Sequence, residues 1–111
     1  MSETKQEWLQ RVADVHGLDP EDIDEIAELC LDDTETNINT LRKAQRGTDL
    51  SEVIRAAHSI KGAAANIHQN KLSDAAKVVE NQLRSDDFTN LEANIQALEN
   101  TYIEFKNFFN S

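Results

Sequence analysis

The chain has 111 residues, a formal net charge of −10, 39% hydrophobic and 29% charged residues, a globular rather than disordered composition. That size suits one domain, residues 1–111, and the negative field repels nucleic acid and anionic lipid. No run approaches the roughly 20 apolar residues of a membrane span, "MSETKQEWLQ" lacks the basic start and apolar run of a secretory signal, and one cysteine fits a reducing, cytoplasmic setting.

Three glycines and one proline leave little punctuation for strands, so an all-α fold is expected. The first predicted helix covers about 3–16, carrying Trp8, Leu9, Val12 and Val15 on its apolar side, with Gly17 as C-terminal cap. Asp19 and Pro20 suit the N-cap and first position of a second helix reaching about Gln45. Its inner face would hold Ile23, Ile26, Cys30, Thr34, Ile38 and Leu41, with Cys30 a small core residue. The weak helix formers of "DDTETNIN" suggest a kink, and Arg42, Lys43, Arg46 and Gly47 suit its C-terminal end. A third helix, capped by Thr48 or Asp49, would run to about Ile67 with Val53, Ala57, Ile60, Ala64 and Ile67 as its seam. Leu72, Ala76, Val79 and Leu83 mark a fourth over about 71–84. Leu91, Ile95, Leu98, Tyr102, Phe105 and Phe109 mark a fifth over about 90–109. Four long amphipathic helices with short connections imply an antiparallel four-helix bundle, the short first helix acting as its cap.

The third helix contains "RAAHSIKGAAANIH", with a glycine where alanine would gain roughly 1 kcal/mol. On a helical projection His58 lies about 130° from the seam centre, Lys61 about 70° and Gly62 about 170°. His58 is therefore a border or exposed residue. Lys61 shares its face, and Gly62 with Ala65 leaves a bare strip beside the imidazole. A nucleophilic ring, an ammonium and uncovered backbone suit transfer of a compact anionic group to or from a large partner. The surrounding charge agrees: residues 55–84 hold Arg55, Lys61, Lys71, Lys77 and Arg84 against only Asp74 and Glu80, a basic zone on an acidic chain.

"AHSIKGAAANI" resembles the core motif of histidine-containing phosphotransfer (HPt) domains, A-H-x-L-K-G-x-x-x-x-x-G. Ala57, His58, Lys61 and Gly62 match in type and spacing, Ile60 replaces leucine, and the similarity continues from Leu72 to Glu80. The resemblance spans nearly the whole chain. It implies that His58 is a phosphoacceptor, receiving a phosphoryl group from a receiver aspartate or a kinase and passing it to another receiver. Lys61 would supply charge to the phosphoryl group, in a transfer that depends on positioning and electrostatics. Glu80 would orient the ring by accepting from Nδ1–H and leaving Nε2 as nucleophile; the alternative is a solvated glutamate at the seam's edge. The receiver would dock over Arg55, Gly62, Ala65 and Lys77.

The expected partners are response-regulator receiver domains and a sensor or hybrid histidine kinase, with no nucleic acid, no membrane and a monomeric state. No cofactor is expected on this chain; Mg²⁺ would belong to the receiver. No ATP site is evident, so the chain is expected to carry phosphate without being a kinase, and Met1 with a complete bundle suggests a freestanding protein. A rival reading is a module that sequesters a receiver without phosphotransfer. His68 stands where the family usually has a glycine closing the third helix, so Asn66 or Asn70 is expected to adopt the left-handed position. His16, His58 and His68 lack the spacing of a metal-ligand pair, and no metal site is expected.

Overall fold

Helix α1 (Lys5–His16) begins where Thr4 and Glu7 close a capping box: Thr4 Oγ1 accepts from the Glu7 N–H at 3.1 Å, and Glu7 Oε1 from the Thr4 N–H at 3.0 Å. It ends on Gly17 in the left-handed region, φ 68°, as expected of a glycine cap. The computed structural model describes residues 2–45, 47 and 49–111; among them there are five helices and no strand. The buried face of α1 is Trp8, Leu9, Val12 and Ala13. Val15 is 65% exposed and not part of it, because the helix end turns that position away from the bundle.

Helix α2 (Pro20–Leu41) starts with Pro20 at its first position, and Asp22 Oδ2 accepts from the N–H of the Asp19 N-cap at 3.1 Å. It runs as one continuous helix through "DDTETNIN". Thr34 and Ile38 are buried within that segment and hold it on the core. The helix stops at Leu41, short of Gln45: the Arg42 guanidinium lies 2.7 Å from Glu99 Oε1 and 3.2 Å from Gln96 Oε1. Gly47, φ 85°, lies in the connection that follows rather than at the helix end. Arg46 and Thr48 lie outside the described residues.

Helix α3 (Ser51–Asn66) has Leu50 at its N-cap; Asp49 Oδ1 supplies the missing acceptor, taking the Ser51 N–H at 3.0 Å. Its seam is buried as the spacing requires, with Ala57 and Ala64 fully so. Helices α4 (Asn70–Arg84) and α5 (Leu91–Phe109) bury the predicted seams, to which α4 adds Ser73 and Glu80. Helix α2 packs on α3 and α5, and α4 packs on the same two, so four helices close around one core, with α1 against α2. Small buried residues (Ala57, Ala64, Ala76) let α3 and α4 approach closely. Trp8 ties α1 across the end of this core: Phe105 and Phe108 each meet its ring edge-on at 5.7 Å, and Nε1 donates to the Ile67 carbonyl at 2.9 Å.

Candidate functional site

The phase of α3 places His58 at the surface, its side chain 60% exposed, while Ala57 and Ile60 anchor the same turn in the core. Gly62 sits on the outer side one turn on; a Cβ built there would meet nothing within 4 Å, so the glycine makes no room for an internal neighbour. Ala65 continues the exposed strip. On α4, Ser73 donates from Oγ to the Lys61 carbonyl at 3.0 Å, pinning the two helices beside the histidine.

Glu80 is the centre of the cluster. It is 3% exposed, and His58 Nδ1 lies 3.1 Å from its Oε2. Arg84, one turn later on α4, reaches the same oxygen with Nε at 2.9 Å and Nη2 at 2.8 Å. The Lys61 ammonium is 2.8 Å from Oε1, an ionic contact made off the axis of a good hydrogen bond. Since the ionised carboxylate can only accept, the contact assigns the Nδ1 proton to His58, and in the neutral ring the lone pair is then on Nε2.

Burial would push the Glu80 carboxyl up, but the Lys61 ammonium and the bonds from Arg84 and His58 outweigh it and hold the group at about 2. The carboxylate lies shallow, roofed by those side chains. Lowered below its ordinary value of 4.5, it contributes stability that is fully present above about pH 5 and lost as pH falls towards 2. Unscreened, the effect would be worth about 3 kcal/mol; with His58 60% and Arg84 56% exposed, about 1–2 kcal/mol is expected to reach stability. Urea midpoints at pH 6, 4 and 2.5 should fall more steeply for the wild-type chain than for Glu80→Gln. Parallel curves would show that the carboxylate adds no acid-sensitive stability.

Of the residues singled out from sequence, His58, Lys61 and Glu80 come together and Gly62 and Ala65 flank them, while Arg55 and Lys77 are exposed and stand outside the ion-pair cluster. The turn after α3 differs from expectation. His68 itself takes the left-handed conformation, φ 60°, whereas Asn66 closes α3 and Asn70 opens α4. Helix α1 stabilises this turn from outside: His16 Nε2 donates to the Asn66 carbonyl at 2.9 Å, and Arg11 Nη1 donates to His68 Nδ1 at 3.0 Å. Its rings bring His16 and His68 within 5.7 Å, a proximity their sequence separation conceals.

Arg84 and Ser73 are the site residues missed by sequence reasoning. A signal existed for both: Arg84 follows Glu80 by four residues, the favourable order for a helical ion pair, and Ser73 is a small polar residue on an otherwise apolar seam.

The helical bundle thus carries an exposed histidine held at one nitrogen by a buried carboxylate, with a lysine on the same carboxylate and a glycine with open space around it one turn on. The Hpt domain family model matches residues 25–108, about three quarters of the chain, and the chain belongs to that family. The family serves histidine phosphotransfer in phosphorelays, as carriers rather than kinases, and engages receiver domains and kinases. Comparison with curated proteins finds no match, and comparison with solved structures finds none. No helix among the described residues is long and apolar enough to cross a membrane.

Proposed function

We propose that His58 is the phosphoacceptor of a phosphorelay, loaded by the aspartyl phosphate of one receiver domain or by a kinase and unloaded by a second receiver. The observation that carries this reading is the contact between His58 Nδ1 and the buried Glu80 carboxylate, 3.1 Å, which in the neutral ring keeps the lone pair on Nε2. In loading, the Nε2 lone pair attacks phosphorus, the bond to the aspartyl oxygen breaks, and its electron pair returns to the receiver's carboxylate. The cation formed on the imidazole keeps Nδ1–H against Glu80, and Lys61 meets the charge on the phosphoryl oxygens.

Residues 1–111 act as one cytoplasmic, monomeric antiparallel four-helix domain. Receivers dock over Arg55, Gly62, Ala65 and Lys77, and the receiver brings the Mg²⁺. A receiver charged with acetyl phosphate should leave an acid-labile, alkali-stable phosphate on this chain. Tight receiver binding without such label would instead favour sequestration.

Gly62 fits this role at a cost to its helix. With open space around the position, Gly62→Ala is expected to raise stability by about 0.5–1 kcal/mol while slowing transfer. Gly62→Gln should slow it further, because a side chain there holds the receiver away from a reaction that tolerates little misplacement. Thermal melting paired with transfer kinetics checks both halves; wild-type transfer by Gly62→Gln would exclude the steric role.

A further inference from the structure

We propose that Arg84 is the standing counter-ion of Glu80, a positioning residue that frees the Lys61 ammonium to meet a phosphoryl group on His58. The inference rests on His58 being the phosphoacceptor. Its starting point is a competition for one cation. Lys61 Nζ lies 2.8 Å from Oε1 of Glu80, the same carboxylate whose Oε2 meets Nδ1 of His58. A phosphoryl group would sit on Nε2. An ammonium committed to Glu80 has less charge and fewer donors to offer a phosphoryl group, so Lys61 serves that group best by loosening its hold on Glu80.

That loosening would strand a carboxylate whose side chain is 4% exposed. A covered carboxylate left without any cationic partner is disfavoured even where water can reach it, so a lysine holding it alone would be drawn back to it. Arg84 removes this obstacle. Its Nε and Nη2 both reach Oε2, at 2.9 and 2.8 Å, and a guanidinium stays charged at every relevant pH. An ordinary exposed ion pair one helical turn apart contributes little, but here the acid is covered while both cations reach outwards, Lys61 31% and Arg84 56% exposed. The two cations also divide the carboxylate: Arg84 holds the oxygen shared with His58, and Lys61 holds the other. Lysine can therefore exchange Oε1 for a phosphoryl oxygen without disturbing the contact that orients the ring.

The test is single-turnover loading by a receiver domain charged with acetyl phosphate, at saturating receiver, for wild type, Arg84→Gln, Arg84→Lys, Glu80→Gln and the Arg84→Gln/Glu80→Gln double variant. Circular dichroism first establishes that each is folded. Arg84→Gln should lower the saturated rate about tenfold, and Arg84→Lys should recover most of it. In the double variant the neutral amide needs no counter-ion, so its rate should match Glu80→Gln alone. An Arg84→Gln chain loading at the wild-type rate overturns the proposal. So does a double variant in which the two losses multiply, because Arg84 would then act on the receiver and not through Glu80. A wild-type chain that takes no label at all removes the phosphoacceptor reading, and this one with it.

Discussion

His58→Gln is expected to fold as the wild type does and to take no phosphate from a charged receiver. The position is exposed, and Glu80 keeps Lys61 and Arg84 as partners after the exchange, so the change in stability should stay within about 1 kcal/mol. Loss of label should be complete because neither other histidine can substitute. His16 has its Nε2 on the Asn66 carbonyl, and His68 has its Nδ1 on Arg11; both lie at the α3–α4 turn, away from Glu80 and Lys61. Acid-labile label on His16, on His68, or undiminished on the variant would refute the assignment.

Glu80→Ala should slow loading by about 10- to 100-fold, and Glu80→Gln by much less. Alanine removes the acceptor for Nδ1–H, so the ring turns freely and its proton can move to Nε2, extinguishing the nucleophile. The amide of glutamine still offers an oxygen to Nδ1–H. The deletion also releases two cations, Lys61 and Arg84, beside one another without their shared anion. Equal single-turnover rates for wild type and Glu80→Ala at fixed receiver concentration would remove Glu80 from the mechanism. The ranking alanine below glutamine separates orientation from charge, since only orientation survives in the amide.

The helices were legible because apolar spacing of three and four marks a buried stripe whatever the stripe packs against. All five seam positions of α3 and all six of α5 are buried as their spacing requires. The same phase argument put His58 outside, and open space at Gly62 agrees with it. What escaped depended on partners distant in sequence. Helix α2 stops at Leu41 and Arg42 pairs with Glu99, 57 residues away. The chain turns left-handed at His68, where Arg11 reaches the ring from α1. Glu80 sits at a seam edge where periodicity allows either solvent or burial, and the choice falls to burial where Lys61 and Arg84 neutralise it.

The indole and imidazole of α1 that bond to Ile67 and Asn66 belong to a helix lying before residue 25, where the family match begins. Grafting this domain onto another protein by those match boundaries would therefore discard Trp8 and His16 and leave two carbonyls at the end of α3 without the donors they have here. It would also uncover Phe105 and Phe108, inviting association through the bared aromatic surface. The transferable unit in a chimeric relay is the bundle together with its leading helix, and a splice point belongs ahead of the Thr4 capping box.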